Sequence, residues 1–389
     1  MKASRTADRR WPVRTNFQLD RAQQRVVHSL WVKGAASRLD LARNLGFSPA
    51  AMTAMARDLM AMGLVEEAES LRSPARGRPS VPLQIARDAG YAIGAAPHHG
   101  AVDVTLVDFH GSPIASVREA FEDTGPEVFA RQVRRIVHEL VERHHLLGRR
   151  LIGCGVGVPG PKAVTDRRHW LTVPNLPTWR DIDLQAVIGD ALALPVWIEN
   201  DANAAALADF YLAGVAQRCR SALVILFGHG IGAGVIENGR LAKGQHGNVG
   251  EIGLLFPGDR PRPSTVDLLR CLRAAGHEVR SADDVAPLIA ADNETVASWT
   301  RRAAAQLDPV ISNALAWFDP GEIILSGPLP QPIREQLALL LSDRPWYDEL
   351  GRPAIRASAI GEKATVLGAA LLPILASAGI AESFSVAVD

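Results

Sequence analysis

The stretch Ile198-Glu199-Asn200-Asp201-Ala202-Asn203-Ala204-Ala205 constrains this chain more than any other. A short apolar run closes on a polar Asn-Asp pair and passes without a loop into an Ala-rich helical segment. A strand that feeds a helix in this way belongs to an α/β layer, where ligands gather at the carboxyl ends of the strands. A carboxylate at that place takes a proton from a hydroxyl group or hydrogen-bonds it. Asp201 is therefore the first candidate functional residue.

With 389 residues and 47% hydrophobic content, the chain is expected to form two or three domains with large cores. The formal net charge is +0, yet it is unevenly spread. Residues 1–87 carry 15 Lys and Arg against 7 Asp and Glu, a net of +8, and residues 88–389 carry 27 against 35, a net of −8. Such a split predicts a polyanion as the partner of the first segment, against the plainer reading of an ordinary basic surface. The three cysteines, Cys154, Cys219 and Cys271, show no zinc-knuckle or redox spacing. Met1 to Arg14 is polar and Arg-rich, no apolar run approaches a membrane span, and the cytoplasm is the expected location.

Val26, Val27, Leu30 and Trp31 predict a first helix over Gln23 to Lys33, ended by Gly34. Ser37 caps a second, Arg38 to Leu45, closed by Gly46, and a third begins with Ser48 as cap and Pro49 in the first helical position. Met52, Met55, Leu59 and Met62 form its inward stripe, which leaves Ala51, Thr53, Ala54 and Arg57 outward. After Gly63, a strand from Leu64-Val65 returns at Val81 to Ile85 through Ser73-Pro74-Ala75-Arg76-Gly77-Arg78-Pro79. Three short helices and a hairpin with a basic tip resemble a winged helix-turn-helix, whose third helix enters the major groove. Ser48, Thr53 and Arg57 are the candidate DNA contacts there, and Arg76 and Arg78 suit a narrow minor groove. A plain three-helix scaffold and non-specific phosphate contact are the alternatives.

Beyond a join at Gln84 to Asp88, strands alternate with helices: Tyr91 to Gly94, Ala101 to Asp108, Ile114 to Glu119, a helix over Phe129 to His145, then Leu151 to Val158 and Val196 to Glu199. The second half repeats this logic. Ser221 to Phe227 leads through Gly228-His229-Gly230-Ile231-Gly232-Ala233-Gly234 to a second strand and the hairpin signal Asn238-Gly239. Backbone N–H groups in such a Gly-rich run cradle phosphate or merely permit a tight connection. A long helix over Ala297 to Phe318, a strand over Ile323 to Ser326 and a closing helix over Thr365 to Leu375 complete an α/β pattern.

Five segments in order carry a resemblance that covers nearly the whole chain: Gly155 to Pro161, Asn175-Leu176-Pro177-Thr178-Trp179, Glu199 to Ala206, Gly228 to Gly234, and Gly247-Asn248-Val249-Gly250-Glu251-Ile252-Gly253. Together they resemble the ROK family of sugar kinases and sugar-responsive repressors, in its regulator branch with an N-terminal winged helix-turn-helix. The resemblance implies a two-lobed, actin-like and ribonuclease-H-like domain over residues 88–389. Lobe one would span about 88–200 plus the C-terminal helix, lobe two about 201–364, and the DNA-binding domain 1–87. It further implies that Asn175, Asn200, Asp201 and Glu251 meet sugar hydroxyls, with Asp201 as base in the kinases. The alternative is that the Asn and Asp side chains only cap a helix and tie loops.

The chain departs from the kinases at three places. Ala96-Pro97-His98-His99-Gly100 stands for the family's Asp-x-Gly-Gly-Thr phosphate turn, so no carboxylate remains for a metal there. His98-His99 reads as a solvated pair or, alternatively, a metal pair. Leu254 stands for a sugar-binding His, and Phe256 to Ser264 lacks the cysteines of the family's zinc loop, with Asp267 loosely in place of a Glu. Pro328 follows Gly327 where a Gly-Gly pair approaches the nucleotide. The expectation is a regulator, most simply a repressor, of carbohydrate metabolism. It would bind double-stranded operator DNA as a homodimer or homotetramer, answer to a sugar or sugar derivative, and need no cofactor or metal. An ATP-dependent sugar kinase with a DNA-binding domain is the competing class, and a DNA-binding protein with a purely oligomerising second module is the third.

Overall fold

Asp20 starts the first helix by accepting hydrogen bonds from the Ala22 and Gln23 amides, both at 2.8 Å, while the Gln23 side chain answers its own amide at 3.1 Å. This reciprocal cap places α1 at Arg21–Lys33, two residues earlier than the apolar spacing indicates, because the starting signal is polar. The computed structural model describes residues 17–68, 81–98, 100–163, 170–171, 176–257, 260–342 and 352–379. Ser37 caps α2 (Arg38–Leu45), Gly46 ends it in the left-handed region at φ 74°, and Ser48 caps α3 (Pro49–Ala61). Val26, Leu30, Leu41, Met52, Ala56 and Leu59 fill the core between the three helices. β1 (Val65–Glu67) and β2 (Leu83–Ile85) pair antiparallel, with Val65 opposite Ile85, and make the base of the wing. The wing tip with Arg76 and Arg78 lies outside the described residues.

Two five-stranded sheets follow, and both have one topology. In the first, the order β5-β4-β3-β6-β7 joins β3 (Tyr91–His98), β4 (Ala101–Asp108), β5 (Pro113–Ala120), β6 (Leu151–Val158) and β7 (Val196–Asn200). In the second, β10-β9-β8-β11-β12 joins β8 (Ser221–Phe227), β9 (Ile231–Glu237), β10 (Arg240–Leu241), β11 (Glu322–Ser326) and β12 (Ala354–Ala357). Each is an antiparallel meander of three strands extended by two parallel ones. This repeat is the two-lobed actin-like architecture, preceded by the helix-turn-helix. At the β9–β10 turn both central residues take positive φ, 50° at Asn238 and 77° at Gly239, as a two-residue hairpin requires.

α4 (Pro126–Arg143) and α5 (Leu184–Leu192) cover the outer face of the first sheet. α8 (Thr265–Ala274), α10 (Glu294–Phe318) and α11 (Gln331–Ser342) cover that of the second, with short α7 (Val215–Arg218) and α9 (Ala286–Ala290) as connectors. Between the sheets lie α6 (Asp201–Leu212), packed on β8 and β9, and α12 (Ala364–Ser377), packed on β3 and β6. Glycine makes these seams possible. A Cβ at Gly155 of β6 would stand 1.8 Å from the Ala369 carbonyl, and one at Gly368 of α12 would stand 1.6 Å from the Ala204 carbonyl of α6. The backbones of strand and helix thus touch where side chains would hold them apart.

One expectation changes here. The Ala96 to Gly100 stretch does not open as a turn at Ala96: β3 runs on through Pro97 to His98, with Ala96 opposite Asp103 and His98 opposite Ala101.

Candidate functional site

β7 delivers Asn200 and Asp201 to the cleft between the lobes. The Asn200 Oδ1 accepts from the Ala202 and Asn203 amides at 2.9 and 3.1 Å, and its Nδ2 donates to the Gly160 carbonyl at 3.1 Å. Asn200 thereby caps α6 and ties down the Pro159-Gly160-Pro161 turn. Asp201, the first residue of α6, accepts from the Ala202 amide through Oδ1 at 2.8 Å. Beyond this amide and its own, the carboxylate accepts no hydrogen bond from the described residues. Burial, reinforced by the neighbouring Glu251 carboxylate and opposed by the Ala202 amide, pushes its pKa up to about 7.

Glu251 leaves the Gly247 to Gly253 loop with a carboxylate that takes no hydrogen bond or ion pair from the described residues, and burial raises its pKa. Gly250 fixes this loop. At φ 95°, with a Cβ that would stand 1.8 Å from the Ala233 carbonyl, only glycine fits. Two carboxyl groups with unclaimed oxygens therefore face one cleft, one from each lobe edge. Such a pair accepts hydrogen bonds from hydroxyl groups, and its mutual repulsion favours keeping one proton. Asn175 lies outside the described residues.

Three contacts around this pair were not legible as site residues. Glu199, buried one position before Asn200, lies 2.9 Å from the Lys243 Nζ and 3.7 Å from that of Lys162. Burial would raise its pKa, but the two lysines and the Asn200 amide hold it below the usual carboxylate range. Asn248 clamps the Lys162 backbone, accepting its amide at 2.8 Å and donating to its carbonyl at 3.1 Å. This sews the loop after β6 to the loop before Glu251, across the cleft. The only sequence signal was that Glu199 and Asn248 sit inside the two polar motifs.

The opposite edge of the cleft is built on the end of β3 and the Gly-rich turn after β8. Ala96 is buried in β3, and its cross-strand neighbour Asp103 pairs with His98 Nε2 at 2.9 Å and with Arg118 at 3.5 Å. His99 lies outside the described residues. In the Gly-rich turn, Gly234 is needed for packing, since a Cβ there would stand 2.4 Å from that of Ala206, whereas Gly228 and Gly230 face open space. Leu254 is 85% exposed and offers no polar atom. Among the described residues no group of three His, Cys, Asp or Glu side chains is placed to hold a metal ion. A structural zinc, which takes about four N or S ligands, finds no such set among the described residues.

Asp267, expected loosely at the position of a sugar-binding Glu, keeps no oxygen for a ligand. It is buried and accepts from Arg270 and Arg302 at 2.6 Å each and from the Trp299 indole at 2.8 Å. These partners use up its oxygens and hold its pKa low against burial, so it anchors α8 to α10.

On α3, Ala51, Thr53, Ala54 and Arg57 are all exposed. The Ser48 Oγ accepts from the Ala51 amide at 3.2 Å, and the Thr53 hydroxyl donates to the Pro49 carbonyl at 2.8 Å. Arg57 has no partner among the described residues. A helix with one free guanidinium and one outward hydroxyl oxygen can contact phosphates and few base edges.

The ROK family profile matches residues 100–375. An uncharacterised protein of Sinorhizobium fredii, y4fQ, is 30% identical over 362 residues, 92% of this chain and 91% of its own. The xylose repressor of Bacillus spizizenii is 31% identical over 217 residues, 56% of this chain and 55% of its own length, so that match spans about half of the repressor. Among solved structures, a ROK family transcriptional regulator described as a homologue of the Escherichia coli MLC protein superposes with a TM-score of 0.71 at 23% identity, covering 92% of this chain and 96% of its own. The ROK hexokinase of Thermus thermophilus gives a TM-score of 0.57 at 26% identity over 72% of this chain and 97% of its own.

Proposed function

Since the chain belongs to the ROK family, whose relatives include both repressors and kinases, we propose that it is a sugar-responsive transcriptional regulator, acting as a repressor, with a catalytically silent kinase-like domain. The observation that carries this reading is the divided cleft. Asp201 and Glu251 keep free oxygens for hydroxyl groups, while Ala96 leaves no carboxylate where a metal would be held. Phosphoryl transfer rests on positioning and charge neutralisation, so a site without that carboxylate binds a sugar without phosphorylating it.

The helix-turn-helix reads duplex DNA through Ser48, Thr53 and Arg57 on α3, and through Arg76 and Arg78 on the wing. The effector is a polyhydroxylated molecule held by Asn175, Asp201 and Glu251, with Asn200 shaping the site. Residues 1–87 form the DNA-binding domain and 88–389 the effector domain, and a homodimer or homotetramer would supply two recognition helices to a two-fold operator. The test is a thermal-shift screen with neutral sugars and sugar phosphates, run beside an ADP-release assay. A stabilising sugar with no ADP release supports the reading. ADP release that Asp201→Asn abolishes replaces it with the kinase reading.

A further inference from the structure

α1 belongs to the helix-turn-helix, yet it is bonded to both lobes. Toward lobe one, the Trp31 indole N–H donates to the Phe109 carbonyl at the end of β4 at 3.0 Å, and Phe17 stands edge-on to the Phe109 ring at 5.7 Å. Gly379, just past α12, approaches so closely that a Cβ there would stand 2.2 Å from Gln24 of α1. Toward lobe two, the Trp31 ring meets Tyr211 of α6 edge-on at 5.0 Å, and Gln217 of α7 donates to the Val32 carbonyl at 3.4 Å. One side chain, Trp31, thus holds a lobe-one carbonyl with its N–H and packs its ring against a lobe-two ring.

Tyr211 is equally shared. Its hydroxyl donates to the Gly239 carbonyl in the β9–β10 turn, and its ring also packs on Phe210 at 5.1 Å. α6 begins at Asp201 in the cleft and carries Tyr211 in its last turn, a span of about 15 Å at 1.5 Å per residue. A helix of this length packed on a sheet moves as a rigid piece. α6 rides on the lobe-two sheet and α12 on the lobe-one sheet, so a rotation of the lobes shears one helix past the other. The Phe109 carbonyl and the Tyr211 ring then shift relative to each other, and Trp31 cannot follow both.

We propose that Tyr211 is the residue that couples the cleft to the DNA-binding module, by transmitting the position of α6 to α1 through Trp31. This rests on the reading of the module as DNA-binding and of the cleft as a ligand site. Coupling of this kind is reciprocal, so DNA bound at α3 alters the cleft end of α6 even with no sugar present.

That reciprocity supplies a test free of the unidentified effector. The full chain would be mixed with a duplex that it selects from a random-sequence pool, and amide hydrogen exchange would be followed at residues 196–206, with DNA affinity measured separately by anisotropy. The expected result is a change of about three-fold or more in exchange at the start of α6 on adding DNA. Tyr211→Leu and, independently, Trp31→Phe should lose that change while still binding the duplex, and Tyr211→Phe, which keeps the ring contact, should retain most of it. A parent that binds DNA with no exchange response at residues 196–206 overturns the coupling and leaves the DNA-binding reading intact, as does a response that survives in Tyr211→Leu. A parent that binds no duplex overturns both.

Discussion

β3 and β7 run parallel to β6 on either side of it and point their carboxyl ends at the same cleft, but they end in opposite ways. β7 stops in Asn200-Asp201, with carboxylate oxygen left over. β3 continues into a hairpin, buries Ala96, and ties His98 to Asp103. The two edges of the cleft hang on different strands, so a change at one leaves the backbone of the other in place.

The largest effects should fall on the seams that hold these strands to α12 and α6. Gly155→Val drives a side chain into the Ala369 carbonyl and should cost about 3 kcal/mol or more, read as a lowered midpoint in chemical unfolding. Gly230→Ala, in open space, should cost less than about 0.5 kcal/mol, and equal costs would dissolve the distinction drawn between the seam and the Gly-rich turn.

Next in size is loss at the β7 exit. Asp201→Ala should weaken binding of any sugar found in the screen by roughly ten- to hundred-fold, measured calorimetrically, since a partner left unpaired costs about 1–3 kcal/mol. His98→Gln at the β3 exit should change that affinity much less. The reverse ranking would place the binding edge at β3 and not at β7.

pH separates the two edges further. The pKa of Asp201 is pushed up to about 7 from an ordinary 3.8, so between those values the folded chain keeps a proton that the unfolded chain releases. The contribution of this group to stability is therefore fully present near pH 4, falls as the pH rises to about 7, and is level above it. Asp209, pushed up to about 6 by burial, acts in the same sense. Asp201→Asn should flatten the decline by an amount on the order of 1–3 kcal/mol, seen in unfolding midpoints from pH 4 to 8.

The smallest effect concerns the wing. Replacing Arg76 and Arg78 by Ala should reduce the salt dependence of DNA affinity by about one log unit of slope per lost phosphate contact. An unchanged slope in a salt titration removes the wing from the interface.

The local grammar of this fold was written in its sequence. Ser37, Ser48 and Gly46 stand at the helix boundaries they signal, and the extents of β6 and β8 match their apolar runs, because these features depend on residues a few positions apart. β3 was read as Tyr91 to Gly94 and runs four residues further, to His98, because β3 and β4 close there into a hairpin with Gly100 at φ 74°. The polar motifs located the cleft but not its wiring. Lys162 and Asn248 lie 86 positions apart, and Asp267 finds Trp299 at 32. Such pairings depend on how two sheets face each other, which no local pattern encodes. Trp31 likewise reads as a core position of α1, although its partners belong to both lobes.

On the proposed reading, the cleft binds a sugar and, without phosphorylating it, sets the affinity of the helix-turn-helix for DNA. The most direct measurement is an anisotropy titration of a selected duplex with the full chain, with and without the sugar that raises its melting temperature, in the parent and in Asp201→Ala. Sugar should change DNA affinity by roughly 5- to 150-fold in the parent, leave it unchanged in Asp201→Ala, and be recovered unphosphorylated in the presence of ATP. A sugar that binds the parent without moving its DNA affinity, or that is recovered as its phosphate, would contradict it.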